Sequence, residues 1–284
     1  MAPPAFSDIA KETNDVLGRD FFHLAPVSVD FKSVAPNGVA FTTKGKTANG
    51  KTSASLEAKY SDKPTGVTVT QGWNTANALD TKFEVVDALS PGLKSELSTS
   101  IVPGGKKDAK LNLYFSQPIV NARAFVDLLK GPVFNGDITV GQDGFTTGVS
   151  LAYDVKSAVL TNYSAGIGYK APVYAISLIA SNNLQLFSAG YYHKVSPTVE
   201  VGAKGTYDSK KATAPNPVAI EIATKYQLDP SAFFKVKVAD SGVASLAYSQ
   251  NLRPGVKLGL GAAIDTLKLS ESAHKFGLSL SFSA

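Results

Sequence analysis

Residues 276–282 read Phe-Gly-Leu-Ser-Leu-Ser-Phe, with a large apolar side chain at every second position and glycine or serine between them. The same alternation recurs in Phe234-Lys-Val-Lys-Val238, in Leu111-Asn-Leu-Tyr-Phe115 and in Val27-Ser-Val-Asp-Phe31. A period of two is that of a β-strand with one apolar and one polar face. Because such runs follow one another from about Val27 to the end of the chain, the sequence predicts an all-β protein.

Short clusters of turn-forming residues separate these runs, among them Pro36-Asn-Gly38, Ala48-Asn-Gly50, Lys63-Pro-Thr-Gly66, Pro103-Gly-Gly105 and Arg253-Pro-Gly255. Their shortness favours antiparallel hairpins. Strands about ten residues long with such turns give roughly 17–21 strands. A sheet of that width would expose two edges unless it closed, and a closed barrel that wide is too large for its own side chains to fill. We therefore expect one barrel with a water-filled interior.

The kind of polar residue indicates which face of the strands meets lipid. One face carries glycine, serine and threonine with charged pairs such as Lys82 and Glu84, whereas the other face is nearly free of charge and is often slim or aromatic. The 11 tyrosines against 1 tryptophan fit aromatic girdles at headgroup depth. A soluble sandwich would need bulky side chains between its two sheets. The pattern therefore favours an all-β membrane barrel.

Composition and motifs argue against enzyme chemistry. The chain has no cysteine, and its 3 histidines lie far apart, so no metal-ligand spacing is present. Gly45-Lys-Thr-Ala-Asn-Gly-Lys-Thr52 satisfies the P-loop pattern, but it joins two alternating strands where phosphate binding would need a following helix. The 28 Lys and Arg exceed the 23 Asp and Glu without forming a basic tail. We expect no catalytic residues, no cofactor, no metal and no nucleic-acid partner.

The first residues differ from the rest of the chain. Apolar positions from Phe6 to Leu17 recur at spacings of three and four, which predicts an amphipathic helix that ends at Gly18. Ser7 is the expected N-cap, with Asp8 in the first turn. An ordinary surface helix is the alternative. The segment has neither a secretory signal nor an Arg-rich presequence, so we expect it to be retained.

A set of short motifs is distributed over the chain: Pro4-Ala-Phe-Ser-Asp-Ile-Ala10, Val67-Thr-Val-Thr-Gln-Gly-Trp-Asn-Thr75, Gly92-Leu-Lys94, Tyr226-Gln-Leu-Asp-Pro230, Lys237-Val-Ala-Asp240, Ser245-Leu-Ala-Tyr248, Leu252-Arg-Pro-Gly-Val256 and His274-Lys-Phe-Gly-Leu278. Together they resemble the eukaryotic mitochondrial porins, and the fungal members in particular, over essentially the whole chain. Val236 departs slightly, since a small residue is usual there. Lys275-x-Gly277-x-x-Leu280-x-Phe282 also resembles the signal that delivers β-barrels to the mitochondrial outer membrane.

The resemblance implies a barrel of about 19 strands, antiparallel except for a parallel closing pair. It places an N-terminal amphipathic segment, residues 1–24, inside the pore and the transmembrane barrel in residues 25–284. It implies a voltage-gated, weakly anion-selective channel of the mitochondrial outer membrane, through which ions, ATP, ADP and phosphate diffuse passively. A homo-oligomer in the lipid bilayer is compatible with it. An excess of lysine in a wet pore favours anions by itself, and salt should weaken that preference.

The resemblance also places seven charged residues in the pore, where they would set selectivity and sense voltage: Asp15, Arg19, Lys44, Lys46, Lys59, Lys82 and Lys94. Strand alternation independently puts the five lysines on the polar face. The alternative for each is a rim lysine with little effect. The motif formed by Gly92, Leu93 and Lys94 is a candidate for contact with a passing nucleotide.

Gln71 and Trp73 are expected to face lipid, because alternation groups them with Val67 and Val69. Animal members of the family carry a glutamate where this chain has Gln71, and a charge at mid-depth in lipid is costly. Properties that depend on that acid are therefore not expected here.

Other classes of protein stay open at this point. A mitochondrial barrel for protein import or barrel assembly shares the architecture, although such proteins usually carry a longer N-terminal extension. A soluble lipid- or ligand-binding β-protein would need no detergent to stay in solution. A bacterial outer-membrane porin is disfavoured by the missing signal peptide and by the short loops.

Overall fold

The computed structural model describes residues 2–48, 50–87, 90–129, 131, 133–211, 216–271 and 274–283. In this part of the chain, nineteen β-strands follow a short N-terminal segment. The segment contains a 3₁₀ turn at Phe6–Asp8, helix α1 at Lys11–Gly18 and a second 3₁₀ turn at Phe22–Leu24. No helix among these residues is long and apolar enough to cross a membrane.

The strands are 8 to 12 residues long. In chain order they are β1 (Val27–Val34), β2 (Ala40–Ala48), β3 (Lys51–Asp62), β4 (Val67–Asn74), β5 (Leu79–Val86), β6 (Leu93–Ile101), β7 (Lys107–Ser116), β8 (Val120–Asp127), β9 (Val133–Gln142), β10 (Phe145–Asp154), β11 (Val159–Lys170), β12 (Tyr174–Ser181), β13 (Leu186–Lys194), β14 (Val199–Asp208), β15 (Val218–Asp229), β16 (Ala232–Ala239), β17 (Val243–Arg253), β18 (Val256–Asp265) and β19 (Lys275–Ser283). A further 3₁₀ turn, Ser209–Lys211, follows β14.

The sheet closes on itself. Each strand is hydrogen-bonded to its neighbours in sequence, and β1 pairs with both β2 and β19, so the sheet formed by the described strands has no free edge. Neighbouring strands run antiparallel, as in the register that sets Gln71 opposite Thr81. Because nineteen is odd, this alternation leaves β1 and β19 pointing the same way, as a parallel pair. The expected closed barrel with a parallel closing pair is therefore confirmed.

Burial in the strands is inverted relative to a soluble protein. Large apolar side chains are exposed, as at Trp73 (58%) and Ile222 (51%), while Lys235 is only 1% exposed. Soluble proteins bury large apolar residues and rarely bury lysine. Exposed apolar surface on this scale needs lipid or a partner to cover it. The alternation predicted from the sequence thus separates an apolar face from a polar one along the described strands.

Two sets of residues are each densely connected within themselves. One comprises residues 1–9, 31–44 and 53–166, and it contains strands β4 to β10. The other comprises residues 10–30, 45–52 and 167–284, and it contains α1 and strands β12 to β19. The first strand begins at Val27, close to the expected boundary at residue 25. Whether residues 1–24 form a separate functional part stays a prediction.

The N-terminal helix begins later than the sequence predicted. Ser7 does not cap it: its hydroxyl donates to the Asp8 carboxylate at 3.3 Å, and α1 starts after Ala10, which offers no side-chain cap. The reason is that residues 6–8 form a 3₁₀ turn, in which the Asp8 N–H donates to the Ala5 carbonyl at 2.8 Å. The end of the helix at Gly18 is confirmed.

The predicted turn clusters lie between consecutive strands. Gly255, between β17 and β18, shows why glycine is used: its φ is +80°, and a Cβ there would collide with the Ser283 carbonyl oxygen of β19. The Ser283 N–H donates to the Gly255 carbonyl at 2.7 Å, so the turn is tied directly to the last strand. In the turn between β2 and β3, Asn49 lies outside the described residues.

Candidate functional site

A cluster of alternating charges lies on the polar face of β3, β5 and β6. We call it the charge ladder, and its members are Lys59, Lys82, Glu84, Lys94 and Glu96. Glu84 and Glu96 stand directly opposite each other in the register of β5 and β6. Like charges in that position destabilise a sheet unless cations compensate them. The lysines on both sides supply that compensation.

The ladder is held by four ion pairs. The Lys94 ammonium lies 2.7 Å from a Glu84 oxygen and 3.7 Å from a Glu96 oxygen. Lys82 reaches Glu96 at 3.5 Å, and Lys59 reaches Glu84 at 3.9 Å. The two glutamates are largely buried, whereas the lysines are more exposed. The carboxylates therefore form the inner layer of the ladder, and the ammonium groups form its surface.

Neighbouring strands extend this polar surface. The Asn112 amide donates to Glu96 at 2.9 Å, and the Lys94 ammonium lies 5.3 Å from the centre of the Tyr114 ring. Further along, the Arg123 guanidinium forms a close ion pair with Asp137, at 2.8 Å. Because these side chains are held in place by pairing, the surface presents fixed charges rather than freely moving ones.

The sequence-predicted site residues fall into three groups. Lys59, Lys82 and Lys94 come together in the charge ladder. Lys44 and Lys46 lie on β2, where alternation puts them on the face opposite Phe41. Asp15 and Arg19 lie at the end of α1 and form a loose ion pair with each other, at 3.9 Å.

The Gly-Leu-Lys motif does not present three side chains to one face. Gly92 ends the turn before β6 with φ +83°, and its N–H donates to the Asp87 carboxylate at 2.7 Å. Leu93 lines an apolar crevice on the opposite face, beside Leu113 and Phe115. Only Lys94 reaches the polar face, so any contact of this motif with a nucleotide side chain would depend on Lys94 alone.

Gln71 and Trp73 lie on the apolar face of β4, as alternation predicted. The Thr81 hydroxyl donates to the Gln71 side-chain oxygen at 3.0 Å across the β4–β5 pair. The Trp73 ring N–H donates to Asn77 at 3.2 Å. The polar groups of these two side chains therefore form hydrogen bonds with neighbouring side chains, as is favourable on a face that water does not reach.

Helix α1 packs on the polar face of β13 to β15, where small residues make room for it. A Cβ added to Gly190 would lie 3.2 Å from the Thr13 hydroxyl, and one added to Gly202 would lie 3.1 Å from the Val16 Cβ. Val16 and Leu17 are buried against Ala223, with Tyr192 beside them. The apolar face of the helix predicted from its spacing is thus the face that docks.

Lys235 secures the C-terminal end of the same helix. Its ammonium donates to the main-chain carbonyls of Asp15, at 2.9 Å, and Arg19, at 2.6 Å. It also lies 5.0 Å from the centre of the Phe21 ring. Sequence reasoning missed this residue, because alternation gives Lys235 and Lys237 the same place on the polar face and only the helix distinguishes them.

The turn after the helix sits on a second set of glycines, in β18 and β19. A Cβ at Gly261 would lie 2.6 Å from the His23 nitrogen, and one at Gly277 would lie 2.7 Å from the Ala25 carbonyl oxygen. The Leu278 N–H donates to the Pro26 carbonyl at 3.0 Å. Backbone therefore lies directly on backbone, which only glycine in the strands allows.

Residues 3–6 have a dock of their own on β8 to β10. The Asn121 amide donates to the Pro3 carbonyl at 3.1 Å, and the Thr139 hydroxyl donates to the Pro4 carbonyl at 2.6 Å. Thr139 is completely buried. This contact uses residues that sequence analysis did not single out, since a threonine or asparagine on a polar face carries no distinguishing signal.

The motif that resembles a P-loop forms a hairpin. Its described residues lie at the end of β2 and the start of β3, and the hydroxyls of Thr47 and Thr52 are 3.2 Å apart across the pair. A phosphate cradle would need a helix after the glycine-rich turn. Across the described ranges, no three carboxylate or histidine side chains come together as a metal site.

Comparison with known proteins places these features in a family. Residues 2–277 match the eukaryotic porin family. The "Mitochondrial outer membrane protein porin" of Candida albicans is 56% identical over 100% of both chains, and the protein of the same name from Neurospora crassa is 52% identical over 99% of both. "Non-selective voltage-gated ion channel 1" of Saccharomyces cerevisiae is 44% identical over 100% of both chains.

A solved structure shows the same fold at low sequence similarity. A triple mutant of Rh. blastica porin aligns with a TM-score of 0.50 over 80% of this chain and 89% of that one, at 9% identity. At that identity the likeness concerns the fold alone.

Proposed function

The chain belongs to the eukaryotic porin family, and from this premise we propose that it is a voltage-gated channel of the mitochondrial outer membrane through which ions and metabolites diffuse passively. The observation that carries the proposal is the closed sheet of nineteen strands, which has its exposed apolar residues on one face and its charge on the other. Such a sheet satisfies every strand edge inside a bilayer and leaves a polar interior.

The polar face lines the pore in this proposal. The charge ladder, with Lys44 and Lys46 of β2, then contributes positive charge to the path of the solutes. Lysine on a pore wall raises the local concentration of anions, and this supports weak anion selectivity and passage of ATP, ADP and phosphate. Because the glutamates of the ladder neutralise most of its lysines, we expect the preference to be weak. The Saccharomyces cerevisiae relative that is 44% identical to this chain is named a non-selective channel.

The N-terminal segment, residues 1–24, lies within the pore in this proposal. Its support is that α1 packs on the polar face of the strands, against Gly202 and Lys235. Asp15 and Arg19 then stand on the path of the ions. Charges in that position contribute to selectivity, and they feel the transmembrane potential, at about 2.3 kcal/mol per elementary charge per 100 mV.

Several finer points belong to the proposal. Lys94 is the candidate for contact with a nucleotide, because it alone of its motif reaches the polar face. The apolar face, with Gln71 and Trp73, contacts lipid, and a homo-oligomer in the bilayer would use part of that face. The proposal assigns the chain no enzymatic reaction and no cofactor.

The test is the reversal potential of the purified protein in a planar bilayer under a salt gradient. Stepwise, voltage-gated conductance with a reversal potential of anion-selective sign is the expected result. Absence of pores, or tight binding of unfolded presequences with poor conduction of small anions, would favour a barrel for protein import or assembly and would refute the channel.

A further inference from the structure

Lys235 is buried in a wall whose other lysines remain accessible. It is 1% exposed, whereas the side chain of Lys237, two residues along on the same face, is 21% exposed and pairs with Glu221 at 3.4 Å. An ammonium group is costly to remove from water unless its donors are satisfied. Two main-chain carbonyls and the face of Phe21 provide this compensation.

The acceptors of Lys235 belong to the C-terminal end of α1. The last carbonyls of a helix have no partners within it, and the helix dipole makes that end negative. The Asp15 carbonyl already accepts the Arg19 N–H at 3.2 Å, and Lys235 adds a second donor there. The Arg19 carbonyl accepts Lys235 at 2.6 Å. The ammonium therefore acts as a C-cap supplied by another part of the chain.

Helix α1 needs such external support. It has 8 residues and no side-chain N-cap. Isolated helices of fewer than about 12 residues are marginal in water, so the strands rather than the helix itself must hold α1 in place.

We propose that Lys235 is a positioning residue, which holds the C-terminal end of α1, and with it Asp15 and Arg19, against the wall of β16. Loss of the ammonium releases this end of the helix, while the docks of residues 3–6 and of Phe22–Leu24 stay in place. The role of Asp15 and Arg19 in the pore rests on the proposed function; the anchoring of the helix does not.

Thiol protection tests the anchor without any measurement of conductance. The chain has no cysteine, so a reporter can be introduced alone. Val16→Cys is nearly isosteric and places the thiol at a site that is 3% exposed, next to the anchored end. Ala5→Cys places a second reporter, at a site that is 8% exposed, in the separate dock of residues 3–6. Reaction with a small maleimide is measured for each reporter in detergent micelles.

Each reporter is combined with Lys235→Met, which keeps the chain length and removes the charge. Lys237→Met is the matched control, because Lys237 also lies 5.5 Å from the centre of the Phe21 ring but donates to Glu221 and not to the helix carbonyls. We expect Lys235→Met to accelerate labelling of the Val16→Cys thiol about tenfold or more, since a charged donor that satisfies two carbonyls is lost. Labelling of the Ala5→Cys thiol stays unchanged, and Lys237→Met alters neither rate. Lys235→Arg, which keeps the charge and the donors, restores most of the protection.

Two results would overturn the proposal. In the first, the Val16→Cys thiol stays protected when Lys235→Met is present, which would mean that the glycine packing, with the contacts of Lys170 to Glu12 and of Lys204 to Asn14, is enough to hold the helix. In the second, both thiols become reactive, which would mean that Lys235 stabilises the barrel in general. Voltage steps on the same proteins give a further readout, in which Lys235→Met changes the steepness of gating and Lys237→Met does not. A protein that shows the labelling pattern but forms no channel would refute the proposed function and leave the anchor intact.

Discussion

At the scale of single residues, the lysines of the polar face cannot be counted as equal contributors to selectivity. The charge ladder contains three lysines and two glutamates, so its net charge is only +1. Glu84 accepts the shortest of the contacts, from Lys94, and also faces Lys59. In the proposed channel, selectivity at this part of the wall would therefore depend on the carboxylates as much as on the lysines.

Glu84→Gln should raise anion selectivity. The substitution removes the counter-charge of two lysines while it keeps a side chain of the same shape, and the net charge of the ladder rises from +1 to +2. The reversal potential in a salt gradient should shift toward the anion equilibrium potential. The shift should be larger near 0.1 M than near 1 M salt, because the Debye length falls from about 10 Å to about 3 Å. Glu271→Gln, in the turn before β19, is the control and should leave the potential unchanged. An equal shift in both variants would contradict the ladder as a selectivity element.

We expect His23 to make docking of the N-terminal segment sensitive to pH. It lies in the 3₁₀ turn ahead of β1, outside the strands, and its Nδ1 is buried without a partner among the described residues. Burial, and then the charges of Lys237 and Lys275, lower the pKa of His23 from 6.5. Because the unfolded chain binds this proton more readily than the folded one, stability should fall as pH falls through about 6.5.

The measurement is the guanidinium unfolding midpoint in micelles at pH 7.5 and 5.5, a range in which ordinary carboxylates stay ionised. The midpoint of the parent chain should be lower at pH 5.5. His23→Asn, which cannot titrate, should lose part of that difference. If the variant keeps the whole difference, His23 is not its source.

At the scale of elements, the N-terminal segment is positioned by strand glycines, which leave room for it because they have no side chain. The Phe22 ring lies against Gly259, and the backbone of residues 22–25 passes over Gly261 and Gly277, where no side chain stands between the two backbones. Gly277 is also the glycine of the C-terminal motif that resembles an insertion signal. Gly277 thus has a structural role in the folded barrel, and this role is independent of any recognition during import.

Gly277→Ala should destabilise the folded protein. The added Cβ would lie 2.6 Å from the Phe22 carbonyl carbon and 2.7 Å from the Ala25 oxygen, so the backbone of the turn must move. Overpacking of this kind costs about 1–3 kcal/mol. Gly205→Ala on β14 is the matched control, because nothing lies within 4 Å of its added Cβ. Guanidinium unfolding of protein refolded in micelles avoids any effect on import. Equal stability of the two variants would show that the turn is not tightly held.

The elements themselves could be predicted from the sequence, but the contacts that place the helix could not. Alternation is a property of each strand alone, so runs such as Phe276–Phe282 predict their strands and faces directly. The N-cap at Ser7 was wrong because a competing 3₁₀ turn used the local hydrogen bonds. Lys235 and Lys237 are equivalent in the sequence, and only the approach of α1 makes one of them an anchor.

At the scale of the whole molecule, the closure of the sheet and the exposure of its apolar side chains are two parts of one architecture. A closed sheet leaves no unpaired edge, and an apolar outer face then has nothing to meet but lipid. The sequence predicted this architecture because both properties follow from strand number and alternation. The sequence did not predict which lysines form ion pairs, because the pairing of Lys94 with Glu84 depends on the register between β5 and β6.

A carboxylate introduced at either of two adjacent positions of β4 should have opposite effects, because the two positions lie on different faces of the strand. Gln71 is the fifth residue of the 8-residue strand β4 and lies on its apolar face, whereas Thr70 lies on the face of the ladder and stands between Lys59 and Lys82 in the register. Gln71→Glu should lower stability in lipid vesicles by up to about 2 kcal/mol, since acids on the lipid face cost less than the 2–4 kcal/mol of a lysine or arginine. It should leave selectivity unchanged.

Thr70→Glu should do the reverse. Its carboxylate can pair with the two lysines that flank it, so stability in vesicles should change little, while anion selectivity should fall because one more counter-charge lines the pore. Unfolding from vesicles and reversal potentials are measured on both variants. If Gln71→Glu altered selectivity as strongly as Thr70→Glu while stability stayed the same, the assignment of β4 residues to the lipid and pore faces would be wrong. The two opposite outcomes together would establish, from function alone, that the alternation of this strand separates lipid from water.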